Sequence, residues 1–193
     1  MKKAFTELPP DYEQILEIDL QKDKKLSICV NLAALAVAII MMVPMHFYIP
    51  ITTLFDMSKG LGAYCFRFGA FFAAMVAYII LHELVHGITM KLFGTKKIKY
   101  GFTGLYAFAG SDDYYPKMPY IIIALAPIAV WGIVIAVINL FVPYEWFWVV
   151  WFIQVMNVSG AAGDVYVTAR FSQMPADILV KDHGVGMKVY SHK

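Results

Sequence analysis

Phe71-Phe72-Ala73-Ala74-Met75-Val76-Ala77-Tyr78-Ile79-Ile80-Leu81-His82-Glu83-Leu84-Val85-His86 is the stretch that decides how this chain folds. Uncharged, mostly apolar residues run straight into three ionisable side chains packed within five positions. The apolar character extends from about Leu61 to Phe93, and Gly94 follows as a helix stop. Arg67 and Lys91 stand 24 positions apart, roughly 36 Å along a helix, the separation expected of anchoring residues at the two faces of a bilayer. Ionisable groups inside such a span are costly, roughly 3 kcal/mol each at its centre, unless they have partners. Their presence therefore points to a task.

The composition supports a membrane setting. Of 193 residues, 60% are hydrophobic and 16% charged, against about 45–50% and about 25% in soluble domains. A soluble chain of this length has too little interior to hide that surface, whereas lipid replaces the missing interior. The length suits one compact domain. A net charge of +2 gives no electrostatic case for nucleic-acid binding. Cys29 and Cys65 lie in apolar stretches without metal-site or redox spacing and read as small buried hydrophobes. Met1-Lys2-Lys3 leads into acidic, proline-bearing sequence rather than the apolar core of a cleavable signal.

Three further apolar runs flank the central one. The first spans about Leu26 to Tyr48, with Asn31 its one strongly polar residue and Pro44 and Pro50 closing it. The third spans about Pro119 to Val142 with Pro127 inside, a proline that reads as a kink. The fourth begins at Trp146, Trp148 and Trp151, an expected interfacial aromatic belt, and runs through Asn157 to Asp164. Between the second and third, residues 94–118 are rich in Gly, Tyr, Phe and Asp and fit either a hairpin or a re-entrant loop. Ile15 to Leu20 partly alternates and fits a short strand or an interfacial turn.

Lysine and arginine are unevenly placed. Five lie in the N-terminal segment (Lys2, Lys3, Lys22, Lys24, Lys25), five from Lys91 to Lys117, and four in the tail (Arg170, Lys181, Lys188, Lys193). The first loop has Lys59 and the third has none. The expected fold is therefore an all-α membrane protein of four transmembrane helices, both termini cytoplasmic in the cell membrane, with a cytoplasmic loop at 94–118. Its parts are an N-terminal segment 1–26, a helical domain 27–170 and a tail 171–193. This layout puts His82–His86 in the cytoplasmic leaflet, about 6–14 Å from the Lys91 end.

His82 and His86, four residues apart, share a helix face and can reach one metal ion. Glu83 lies beside the first, turned about 100° around the helix, placed to take a proton from a metal-activated water. The pattern has only about a 0.3% chance of arising by accident in this composition. Catalytic zinc generally has three protein ligands and one open position, so a third ligand is needed. Asp164 is the choice, reached through the small-residue run Asn157-Val158-Ser159-Gly160-Ala161-Ala162-Gly163 that lets helices approach closely. Asp112, Asp113 and His183 are rivals, while His46 falls at the opposite membrane end and His192 at the terminus. Asn157, seven residues before Asp164, is a candidate for binding substrate carbonyls or for an interhelical hydrogen bond.

Taken in order, His82-Glu83-Leu84-Val85-His86-Gly87 in a membrane helix, a Gly- and aromatic-rich loop, Ala124-Leu125-Ala126-Pro127, and Asn157 through Gly163-Asp164 resemble the DUF3267 "putative zincin peptidases". These are small bacterial membrane proteins distantly similar to site-2-protease-type intramembrane metalloproteases. The resemblance extends from about Pro10 to Tyr190. It implies a zinc cofactor, His82, His86 and Asp164 as ligands, and Glu83 as catalytic acid/base. Where the site-2-protease pattern has an Asn-Pro or Leu-Asp-Gly signature, Asp164 here is preceded by Gly163 and followed by Val165.

The function expected is hydrolysis of peptide bonds in a membrane-associated peptide or transmembrane protein. Two other readings keep the same residues: a non-catalytic metal-binding scaffold or regulator, and a proton-coupled transporter using them as a relay. Four spans without repeated halves count against the transporter.

Overall fold

In a computed structural model, residues 3–104, 106–184 and 186–192 are described. Lys2 and Lys193, counted above toward the charge asymmetry, lie outside the described residues. The described residues are mostly helical, at 61%, and among them three helices are long and apolar enough to cross a membrane. These are α1 (Lys24–Tyr48), α2 (Leu61–Leu92) and α3 (Lys117–Phe141). Asp23 caps α1 by accepting the Leu26 N–H. Pro44 lies inside α1 rather than ending it. Gly94 closes α2 with φ +101°, its N–H returning to the Lys91 carbonyl.

The fourth apolar run is not one long helix. It forms α4 (Phe147–Gly160) and α5 (Ala162–Ser172), separated at Ala161. Glycines at 160 and 163 weaken the helix on both sides of that break.

The all-α expectation is overturned. Antiparallel strands β1 (Tyr12–Ile18), β4 (Tyr114–Pro116), β5 (Leu179–Asp182) and β6 (Met187–His192) form one sheet in the order β1-β6-β5-β4. A separate hairpin joins β2 (Lys99–Phe102) to β3 (Ala107–Gly110). The segments before α1 and after α5 thus meet in a sheet, because β1 pairs with β6 from Tyr12–His192 to Ile18–Met187. Of the two forms open for residues 94–118, the hairpin is the one present.

One core joins sheet to helices. Met90 and Phe93 of α2, Tyr120, Ile123 and Ala124 of α3, and Val167 and Phe171 of α5 pack on Ile18, Val180 and Val189 of the strands. A second cluster lies at the far end, where Leu54, Trp148 and Val149 are buried together. Trp148 is therefore not part of an exposed aromatic belt. It is 1% exposed and donates its indole N–H to the Ile49 and Pro50 carbonyls, as a buried tryptophan requires. At the same end Lys59 pairs with Glu145, and Arg67 donates to the Asp56 carbonyl.

The outer surfaces are apolar. No residue of α1 is buried, and its Ile28, Leu32, Leu35, Ile39, Ile40 and Val43 side chains face outward, as do many on α2 and α3. Cys29 and Cys65 share that outward exposure rather than being buried. Soluble monomers rarely present apolar patches beyond a few hundred Å².

These two environments set different costs for losing a ring. Phe171→Ala, at a position with no exposure, is expected to destabilise the protein by about 3–5 kcal/mol. Phe47→Ala, on a residue 82% exposed, is expected to change it by under about 0.5 kcal/mol. Denaturation midpoints of both variants in matched detergent test the contrast.

Candidate metal centre

The site is built from the inner end of α2. Tyr78, His82 and His86 recur every four residues and so form a stripe on one face. That face looks onto α3 and the α4–α5 junction. His82 Nε2 lies 3.7 Å from Asp164 Oδ2, and His86 Nε2 lies 3.8 Å from the same oxygen. The two imidazole rings meet edge to face with centroids 4.9 Å apart. One ligand atom from each of the three residues falls within 4.8 Å of the others, making a group that could hold a metal ion.

Hydrogen bonding fixes which nitrogen of each ring is bare. His86 Nδ1 is 2.9 Å from the Ile123 carbonyl. A carbonyl only accepts, so Nδ1 carries a proton, and in the neutral imidazole Nε2 is then the nitrogen with the lone pair. The His82 case takes one more step. Asn157 donates through Nδ2 to the Ile128 carbonyl at 3.2 Å, which orients its Oδ1 toward Tyr78. Tyr78 donates its hydroxyl to Asn157 Oδ1 at 3.0 Å. The Tyr78 oxygen, 2.9 Å from His82 Nδ1, must then accept from that nitrogen. In both neutral rings Nε2 is therefore the bare nitrogen, and both Nε2 atoms are turned toward Asp164.

This donor set fits zinc. Two imidazole nitrogens and a carboxylate oxygen are ligands it takes at about 2.0–2.2 Å, and tetrahedral bonds of that length hold ligand atoms about 3.3 Å apart. The two gaps to Asp164 exceed that by less than about half an ångström, and at 3.7 and 3.8 Å neither is a hydrogen bond. The rings' partly buried outer bonds, to a main-chain carbonyl and to a tyrosine, are of the kind that orient metal-ligating histidines.

Asp164 stands in the first turn of α5. The fourth apolar run, read from the sequence as ending at Asp164, would set this acid at a helix C-terminus, against the dipole. The break at Ala161 reverses this and puts the carboxylate at an N-terminus, where negative charge is favoured. Asn157 is completely buried and bonded to Tyr78 and α3, which leaves it no surface to offer a substrate.

Glu83 is half-buried beside the group, lining the same cavity as Ala109 of β3. The hairpin sits close because Gly87 has no side chain: a Cβ there would fall 1.9 Å from the Tyr100 hydroxyl oxygen. The Phe108 ring likewise lies against Gly101 and Gly184, where a Cβ on Gly184 would meet it at 2.0 Å. A cavity of about 370 Å³ runs from Asn31 and Ala34 on α1, past His82, Glu83 and Asp164, to the hairpin.

The other candidates lie elsewhere. Asp112 is exposed and paired with Lys99 at 2.6 Å, and the Asp113 N–H bonds Ser111. His183 is exposed in the turn after β5. His46 accepts the Ile51 N–H at the end of α1. His192 is in β6, paired with Asp11 at 2.6 Å.

Two residues escaped the sequence reading. Tyr78 could have been found from its place four residues before His82. Asp182 gave no such signal. It reaches the same cavity from β5, its carboxylate accepting from the Tyr120 hydroxyl at 2.6 Å and the Gly184 N–H at 2.7 Å. Burial pushes its carboxyl above the usual range, against the opposing effect of those two hydrogen bonds.

No solved structure matches the chain. A curated relative from Pyrococcus woesei, described as an "uncharacterized 24.7 kDa protein in gap 5′ region", is 34% identical over 119 residues. The match covers 59% of this chain and 51% of the relative, so the chain spans about half the length of the protein it resembles. The family model described as "putative zincin peptidase" matches residues 75–179, a stretch that takes in Tyr78, the paired histidines, the hairpin, Asn157 and Asp164, and the chain belongs to that family, DUF3267.

Proposed function

We propose that this protein is an intramembrane zinc metallopeptidase that hydrolyses peptide bonds of a membrane-associated peptide or transmembrane protein. The observation that carries the reading is the convergence of His82, His86 and Asp164 within 4.8 Å, with Glu83 alongside in the same cavity. His82 Nε2, His86 Nε2 and an Asp164 oxygen would hold the zinc. Bound there, zinc would supply Lewis acidity, lowering the pKa of a water to about 7 and polarising a carbonyl oxygen.

The chain's own groups supply the rest. Glu83, free of the ligand set, takes the proton of the attacking water on a carboxylate oxygen and returns it to the departing amine. Tyr78, Asn157 and the Ile123 carbonyl keep both imidazoles in the tautomer that presents Nε2. The apolar cavity walls limit water and strengthen these polar contacts.

In the proposed setting α4 and α5 together make a fourth crossing of the cell membrane. Both termini, the sheet and the hairpin lie on the cytoplasmic side, where the basic residues concentrate. Residues 1–26 and 171–193 then form the cytoplasmic layer beneath a helical domain of residues 27–170.

Purified protein is expected to hold about one zinc per chain, and His82→Ala and Asp164→Ala to lose it. Elemental analysis of the three proteins checks this, and zinc retained at wild-type level by Asp164→Ala would remove Asp164 from the ligand set. Glu83→Gln is expected to keep zinc and to lower peptide cleavage by at least about 100-fold. Cleavage at the wild-type rate would exclude Glu83 as the base. Tyr78→Phe, which removes only the hydroxyl that His82 donates to, should weaken zinc binding about 10–100-fold, measured by chelator competition.

A further inference from the structure

Proline 127 sits in the middle of α3 and is fully buried. In an α-helix the N–H of each residue bonds the carbonyl four positions earlier, and proline has none to give. The carbonyl deprived by Pro127 is that of Ile123, a residue only 1% exposed. That carbonyl is the atom His86 Nδ1 bonds at 2.9 Å. The vacancy in the helix and the histidine's partner are one oxygen.

We propose that Pro127 is a positioning residue of the metal centre. By withholding an N–H from the Ile123 carbonyl, it reserves that acceptor for the His86 Nδ1–H, which fixes the ring's orientation and leaves Nε2 bare toward Asp164. The role in metal binding rests on the zinc reading above; the tautomer assignment does not. An ordinary residue at 127 would place a competing donor on the same oxygen, within the helix and at ideal geometry. The imidazole would then lose or share its partner and be free to turn or to carry its proton on Nε2.

The arrangement extends along α3. One helical turn further on, the Ile128 carbonyl accepts from Asn157, which orients Tyr78, which orients His82. Main-chain carbonyls of a single helix therefore set both imidazoles, one directly and one through two side chains. Pro44 in α1 offers an internal comparison. It deprives Ile40 in the same way, but Ile40 is 68% exposed on the outer surface.

The test uses the full chain in detergent with two readouts. The first is zinc affinity by chelator competition. The second is the tautomer of His86 in metal-free protein, read from ¹⁵N-histidine NMR and assigned by difference with His86→Ala. Wild type should show His86 protonated on Nδ1. Pro127→Ala should bind zinc about 10–100-fold more weakly and shift His86 toward the Nε2-protonated form. Pro44→Ala should match wild type in both. Zinc affinity within twofold of wild type and an unchanged tautomer in Pro127→Ala would overturn the proposal, leaving the proline as a helix bend alone. Should Pro127→Ala fail to fold, the wild-type spectrum still decides, since protonation of His86 on Nε2 overturns it. Wild-type protein that binds no zinc would instead refute the metal reading, while the metal-free tautomer still shows whether the Ile123 carbonyl is reserved for His86.

Discussion

A polar side chain in an apolar slab must find its partner within the protein, and here the partners come largely from the backbone of α3. The Ile123 carbonyl takes His86, and the Ile128 carbonyl takes Asn157 and, through it, Tyr78 and His82. Unpaired groups of this kind cost about 1–3 kcal/mol each when buried. The pairing therefore ties α2, α3 and α4 together by the same bonds that aim the imidazoles. Packing alone could seat these helices in several registers. The chain of donors and acceptors fits one, because slipping α2 by a turn against α3 would strand both rings.

The sheet completes the site from the other side. β5 brings Asp182 to the cavity, and the hairpin brings Ala107, Phe108 and Ala109 to the wall that Glu83 shares. Close approach depends on positions without side chains: Gly87 under Tyr100, and Gly101 and Gly184 against Phe108. Tyr115 anchors the return of the chain, its hydroxyl shared between Thr95 at 2.6 Å and Ser111 at 2.7 Å. Strands from both ends of the chain close over the same cluster that holds Met90, Tyr120 and Phe171. The inner ends of α2, α3 and α5 are thereby fixed relative to one another at the level of the histidines.

The long helices were legible because each is a sustained apolar run: α2 begins at Leu61 and stops before Gly94, as its sequence requires. The pairing of His82 with His86 followed from helical period, and Asp164 from the small residues around it. A short strand near Ile15 and a hairpin within 94–118 were among the forms the sequence allowed, but the four-stranded sheet was not legible, for a physical reason. β1 and β6 pair across 169 to 180 residues, and a bulge between Gln14 and Leu16 breaks the alternation of β1. Nothing local in Tyr12–Ile18 names its partner. Trp148 misled because composition cannot separate a tryptophan at a lipid interface from one buried beneath a loop. Pro127 was read as a bend, since a sequence shows the missing donor but not what occupies the vacant acceptor.

The break at Ala161 shows how a weakness in a helix can serve a site. A continuous helix through residues 147–172 would satisfy Asp164 no better than any mid-helix acid, with its backbone N–H groups already committed to carbonyls below. Interrupting it restarts the helix two residues before Asp164, which places the carboxylate in a first turn, at the end where a helix dipole favours negative charge. Gly160 and Gly163 serve that break rather than clearance, since a Cβ at 160 would meet nothing within 4 Å and one at 163 only Leu20 Cδ1 at 4.0 Å. In the first turn of the restarted helix, Asp164 stands within 4 Å of two rings on α2.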